Sequence, residues 1–289
     1  MQYVGPLFRP PSEAQSLVVQ ATVGCSWNRC TYCDMYRTKS FQIRDIGDVL
    51  EDVSRLSEAT RRTTRRVFVA DGDALVMPMT DWRYLLDGLH RILPNLERVS
   101  AYAMARNILD KTEAELRELR ASGVSMLYVG PESGDDVTLK RIAKGDDAKA
   151  HVDAAALAHR ANIQLSVIAL LGIGRERMRE HAEATGRLVS AMNPRYFSAL
   201  TVTVVPGTPL EKEARRGRFE VPPVLSLLEE LQWMLKATEV TDTTFRTNHA
   251  SNYLPLAGRL PDDKDRLLEI LDAALAGQIA LRPDWMRAL

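Results

Sequence analysis

The sequence predicts an α/β fold: a partial (β/α)6 barrel of parallel strands with outer helices and a C-terminal helical and loop extension. Three observations carry that reading. Six apolar runs of strand length alternate with stretches of helical periodicity. Several of the runs are continuously apolar, as strands covered on both faces are. The unusual residues fall just after those runs, at the carboxyl edge where parallel α/β folds bind their ligands.

Residues 1–15 are rich in proline and read as an irregular arm. The first strand is expected at 16–23. Ile46, Val49, Leu50, Val53 and Leu56 then recur at helical spacing behind an acidic first turn. Strands follow at 66–70, 98–104, 124–130, 163–171 and 196–205, with helices near 80–93, 112–122, 147–161 and 176–191. Pro94 ends one helix, Thr112 and Glu115 form a plausible cap for another, and Gly123 closes it. The barrel is thus expected over 16–217. Residues 218–289 form an extension with helices near 224–237 and 262–276, packing on the barrel and lining its substrate end.

Thirty-eight basic residues balance 38 acidic ones, so no net charge draws the chain to nucleic acid or to an anionic membrane. The clusters Arg61–Arg62 with Arg65–Arg66, and Arg215–Arg216 with Arg218, read as solvated helix ends. No apolar run reaches the ~18 residues of a membrane helix. The N-terminus lacks the charged start and apolar stretch of a secretion signal, so a cytoplasmic location with reduced thiols is expected.

All three cysteines, Cys25, Cys30 and Cys33, lie on one loop after the first strand, spaced C-x4-C-x2-C. Three thiolates can face a common point, but they leave one corner of a four-iron cluster open, and an open metal corner implies chemistry. A zinc site completed by a histidine, or chance burial of small residues, stands as the alternative. The nearest downstream histidine is His90, with no spaced partner to close a finger. An odd count in a chain without a secretion signal argues against a disulfide framework.

Cys25 to Cys33, then Gly130-Pro131-Glu132-Ser133-Gly134, then Val205-Pro206-Gly207-Thr208-Pro209-Leu210 together resemble the radical S-adenosylmethionine enzymes. The resemblance covers roughly residues 16–215 and is nearest to the branch of Elp3-like, methylthiotransferase-like and oxygen-independent coproporphyrinogen oxidase-like proteins. The family's usual cluster loop is C-x3-C-x2-C, so the first gap here is one residue longer. The resemblance implies that Cys25, Cys30 and Cys33 hold a [4Fe-4S] cluster whose fourth iron is chelated by S-adenosylmethionine. Tyr32 matches the aromatic near the adenine, and Asp71-Gly72-Asp73 stands where the family places a Gly-Gly-Glu motif for the methionyl ammonium. Glu132 and Ser133 would meet the ribose hydroxyls. Lys144 would meet the methionyl carboxylate, or else be a surface lysine. Ser166 would reach the same region from its strand, and Ile173, between two glycines, would lie against adenine.

Downstream, Arg246, Asn248, His249, Asn252 and Tyr253 crowd a stretch rich in donors and acceptors. It is either a polar loop whose side chains cap turns or the substrate end of the barrel. In the second case His249 and Tyr253 are the candidates for catalysis and Arg246, Asn248 and Asn252 for substrate contact. The resemblance implies an enzyme that cleaves S-adenosylmethionine reductively and takes hydrogen from a small molecule, using an external electron donor such as flavodoxin or ferredoxin. With no further cysteine for an auxiliary cluster and a balanced surface, nucleic-acid substrates are disfavoured. The competing readings are an iron–sulfur or haem carrier that keeps the fold without radical catalysis, and a zinc-binding structural protein.

Overall fold

A computed structural model describes residues 1–287, and the chain forms two compact units. The first comprises 1–28, 35–129 and 156–164; the second comprises 29–34, 130–155 and the chain from Leu165 onward.

In the first unit, β1 (Leu17–Gln20), β4 (Arg66–Ala70), β5 (Arg98–Tyr102) and, up to Val129, β6 (Val124–Glu132) lie side by side in that order, all parallel; the last three residues of β6 belong to the second unit. The chain between β1 and β4 makes a small antiparallel pair, β2 (Thr22–Val23) with β3 (Gln42–Ile43), and helices α1 (Ile46–Ser54) and α2 (Glu58–Thr63). After β4 come α3 (Met79–Ile92), then, past β5, α4 (Ala105–Leu109) and α5 (Glu113–Ala121). Thr112 and Glu115 do form a reciprocal capping box at the start of α5. Val67, Phe68, Val69 and Ala70 are fully buried, as the continuous apolar run requires. Phe68, Tyr102 and Tyr128 meet edge to face, with centroids 5.1–6.1 Å apart.

The second unit has α6 (Asp136–Arg141), the first half of α7 (Ala148–Arg160), whose residues from 156 belong to the first unit, and from Leu165 on β7 (Gln164–Leu171), followed by α8 (Met178–Met192) and β8 (Tyr196–Thr201). Next come α9 (Pro209–Arg215), α10 (Val224–Lys236), β9 (Thr243–Arg246), β10 (Ala257–Leu260) and α11 (Lys264–Leu275). β7, β8 and β9 run parallel, and β10 returns antiparallel along β9.

Several expectations need correction. The expected strand at 16–23 breaks at Ala21, whose N–H still bonds Ala70 O before the chain turns into the small pair. The strand expected through Val205 stops at Thr201, where Ser251 and Asn252 side chains bond Thr201 N–H and Oγ1. The stretch read as a polar loop from Thr243 begins instead as β9. Thr243 and Phe245 point inward and are fully buried, a period-two alternation hidden by threonines. Helices α2 and α4 are too short to leave a periodic signature. Among the described residues, no helix is long and apolar enough to cross a membrane.

Candidate cofactor site

The first unit holds the start of the cysteine loop against the end of β4. Gly72 N–H bonds Gly24 O at 3.0 Å, and Gly24 N–H bonds Asp71 Oδ2 at 3.0 Å. That same oxygen accepts Gln20 Nε2 at 3.0 Å and Lys39 Nζ at 2.8 Å, all within a buried cluster. Asp71 N–H in turn bonds Thr22 Oγ1 at 2.8 Å, and Lys39 Nζ also reaches Pro6 O, fastening the N-terminal arm. Asp71, expected beside the methionyl ammonium, is therefore largely engaged in holding the loop, although its Oδ1 is buried and takes no partner.

Asp73 receives Ser26 N–H at 2.9 Å on one oxygen and the Ser26 hydroxyl on the other. A Cβ on Gly72 would lie 2.9 Å from Cys25 Cβ and 2.7 Å from Tyr36 Cε2. Glycine is the residue that lets the loop come this close. Asn28 N–H points at Cys25 Sγ from 3.5 Å, a donor of the kind that favours thiolate. The Arg106 guanidinium lies 4.3 Å from the Trp27 ring centroid, steadying the same loop.

The second unit holds the rest of the loop. Thr31 N–H bonds Ile142 O and Thr31 O accepts Leu210 N–H, both at 2.9 Å. The Pro206-Gly207-Thr208-Pro209 turn, capped by Thr208 at the start of α9, thus serves to pin the cysteines. Tyr32 packs on a buried apolar cluster of Leu139, Ile142, Leu170, Ile173, Val202 and Leu210. Ile173, expected against adenine, is instead fully buried in that cluster rather than on an open face.

The Tyr32 hydroxyl bonds the Glu132 carboxylate. Burial first, then the charges of Glu132, Cys30 and Cys33, push its phenol well above the ordinary range, so it stays a neutral donor. Glu132, the last residue of β6, has φ of 69°, a left-handed conformation costly for a side chain with Cβ, roughly 1–3 kcal/mol. Lys144 Nζ lies 3.4 Å from Glu132 Oε1 in this half-buried setting. Tyr32, Glu132 and Lys144, three of the residues picked from sequence, are brought together here. The ammonium faces the carboxylate, so Lys144 is a partner of Glu132 rather than a solvated surface lysine.

Ser133 is fully buried, and its hydroxyl is engaged by protein. Its Oγ lies 2.7 Å from His181 Nδ1 and accepts Asp135 N–H at 2.9 Å. His181 Nε2 is 3.0 Å from Leu170 O and 3.1 Å from Glu230 Oε1, while Glu230 Oε2 accepts Gly172 N–H at 2.8 Å. With the ring proton on Nε2, facing Leu170 O, Nδ1 accepts the Ser133 hydroxyl. Burial pushes the Glu230 carboxyl up, with His181 and the Gly172 N–H partly opposing. Sequence reading missed His181 and Glu230. The available signal was a glutamate inside the apolar stripe Leu227, Leu231, Met234 of α10.

The remaining sequence candidates are dispersed. Ser166 sits near the amino end of β7, five residues before Leu171, or about 16 Å along the strand. Asn252 is buried with Oδ1 on Thr201 Oγ1 and Nδ2 on both Ala199 O and Thr247 O, so it braces β8 to β9. Arg246 and Asn248 are exposed. His249, half-buried, accepts Ser251 N–H at Nδ1 and also meets the Ser251 hydroxyl; burial holds its imidazole below the usual range. Tyr253 bonds Asp284 Oδ1 at 2.9 Å, with the Arg287 guanidinium 3.9 Å from its ring centroid.

Residues 19–186 match the family model of the radical SAM superfamily. The chain is 22% identical over 201 residues to the heme chaperone HemW of Bacillus subtilis (strain 168), covering 67% of this chain and 52% of that protein. It therefore spans about half the length of this curated relative. Among solved structures it is similar to methylornithine synthase (PylB), with TM-score 0.54, 16% identity, and coverage of 78% of this chain and 63% of that one. It is also similar to coproporphyrinogen III oxidase (HemN) from Escherichia coli, with TM-score 0.55, 15% identity, and coverage of 76% and 51%. At these identities the likeness extends to the fold.

Proposed function

The chain belongs to the radical SAM superfamily, and from that premise we propose that it binds a [4Fe-4S] cluster and S-adenosylmethionine and acts by hydrogen abstraction on a small molecule. Cys25, Cys30 and Cys33 would hold the cluster. Their loop fits the group: it carries no regular structure of its own, is tied at both ends by backbone hydrogen bonds, and turns an N–H toward Cys25 Sγ. When bound there, the cluster would supply the one electron for reductive cleavage of S-adenosylmethionine to methionine and a 5′-deoxyadenosyl radical, the species that would take hydrogen from substrate.

The protein's own part is placement. Glu132 offers a carboxylate to the ribose hydroxyls, held by Tyr32 and Lys144. The Tyr32 ring and the apolar cluster beneath it exclude water on the adenine side. Asp73, whose two oxygens clamp Ser26, would meet the methionyl ammonium with its charge. Residues 218–289 would line the substrate end, with His249 and Tyr253 as the titratable groups there. A one-electron donor protein such as flavodoxin or ferredoxin, a cytoplasmic setting, and neither nucleic acid nor membrane as partner complete the proposal.

The observation that supports this most is the Tyr32–Glu132 hydrogen bond, which joins the cysteine loop to the ribose motif within one unit. Anaerobic reconstitution with iron and sulfide, then dithionite and S-adenosylmethionine, should yield absorbance near ~400 nm, as expected of a cluster, together with 5′-deoxyadenosine. Cys30→Ala should abolish both. A protein that takes up zinc and neither iron nor sulfide would overturn the proposal. The heme-chaperone name of the Bacillus relative favours a second reading, a carrier that keeps the fold. Stoichiometric haem uptake without deoxyadenosine would select it.

A further inference from the structure

We propose that His181 is a positioning residue for S-adenosylmethionine, acting through Ser133 on Glu132 and through Glu230 on the Gly172–Ile173–Gly174 turn. This inference rests on the function proposed above. His181 and Glu230 are fully buried, which rules out a role in touching substrate. What they join is specific. Ser133 directly follows Glu132, whose left-handed backbone persists only if its neighbours hold it. The Ser133 hydroxyl, fixed between Asp135 N–H and His181 Nδ1, is one such anchor.

The other arm ends on the turn that carries Ile173. Gly172, at φ of 83°, gives its N–H to Glu230 Oε2, and Ile173 follows it into the cluster that carries Tyr32. A Cβ on Gly174 would lie 2.8 Å from His181 Cβ, and one on Gly134 would lie 2.2 Å from Ala184 O. Both motif turns are therefore seated directly on α8, the helix that bears His181. One imidazole thus sets the carboxylate meant for the ribose and the turn whose Ile173 joins the buried cluster that carries Tyr32.

The test is S-adenosylmethionine binding to the anaerobically reconstituted protein, followed by equilibrium dialysis and by electron paramagnetic resonance of the reduced cluster. Iron, sulfide and melting temperature are measured in parallel. His181→Phe should raise the Kd about tenfold or more with iron and sulfide unchanged. At saturating S-adenosylmethionine its spectrum should match the wild type, because the nucleoside half is misplaced and the cluster is not. Glu230→Gln, which can still accept Gly172 N–H, should stay within about threefold of wild type.

If His181→Phe fails to fold, the double variant His181→Phe/Glu230→Leu removes the stranded carboxylate and decides by the same comparison. Unchanged affinity in the folded variant would overturn the positioning role. So would loss of iron in step with loss of binding. A wild-type protein that loads its cluster but binds no S-adenosylmethionine would bring down this inference and the proposed function together; normal wild-type binding with no effect of the variants would bring down this one alone.

Discussion

The Glu132 side chain folds back over Gly130, so closely that a Cβ on Gly130 would lie 2.2 Å from Glu132 Oε1. The carboxylate therefore occupies the space a side chain at 130 would take. Gly130→Ala should swing Glu132 away from Tyr32 and Lys144. The expected outcome is about a tenfold weaker hold on S-adenosylmethionine, of the order of one lost charge-assisted hydrogen bond. Equilibrium dialysis against the labelled compound checks it, and affinity equal to wild type would count against Glu132 as the ribose contact.

Lys39 and Asp71 form a buried charge pair in the first unit, 2.8 Å apart with side chains 4% and 0% exposed. Lys39→Met would leave the Asp71 carboxylate without its cation and the arm without its tie to Pro6. The expected loss is about 3–5 kcal/mol. Adding Asp71→Asn to that variant should recover much of it, since the stranded charge is gone. Urea unfolding of the two single variants and the double gives the coupling directly.

How much of this was legible in the sequence depends on the kind of signal. Apolar runs such as Val67–Ala70 and the Thr112/Glu115 cap speak locally, so the parallel strands and α5 could be read from residues alone. The cysteine spacing and Glu132 were legible as motifs. Ser133 was read as a ribose contact, whereas its hydroxyl is bound to His181, 48 positions away. No local pattern encodes a partner at that separation. Asn252 misled for a related reason: a polar side chain in a donor-rich loop looks available until Thr201 and Ala199 are seen to use it. β9 was hidden because Thr243 and Thr244 read as loop, although a parallel neighbour makes them strand.

Asp135 offers a pH-dependent check on the turn after β6. Hydrogen bonds from Arg177 first, then from Thr138, hold its carboxyl at about 2 against an ordinary 3.8. Because the folded value is the lower one, its stabilisation is fully present above pH 3.8 and disappears as the pH falls through about 2. Arg177 is partly wetted, so the contribution at neutral pH is about 1–2 kcal/mol. Asp135→Asn should be less stable than wild type by that amount at pH 7. The gap should narrow steadily below pH 4 in urea titrations, and a gap that widens in acid would contradict the assignment.

Asp73 carries two jobs that substitution can separate. It clamps Ser26, the residue after Cys25, through the Ser26 N–H and hydroxyl, and its charge is the acceptor proposed for the methionyl ammonium. Asp73→Ala removes the clamp along with the charge, so the loop should lose its set and iron per chain should fall by about half or more. Asp73→Asn keeps one amide oxygen for Ser26 but removes the charge, and a hydrogen bond to an ionised group is worth about 1.5–3 kcal/mol. It should load iron almost normally yet bind S-adenosylmethionine about ten- to a hundredfold more weakly. Iron analysis beside dialysis reads both effects. If Asp73→Asn binds as tightly as wild type, the carboxylate serves the loop alone, and the ammonium must be met elsewhere, with the partnerless Asp71 Oδ1 the next atom to examine by Asp71→Asn.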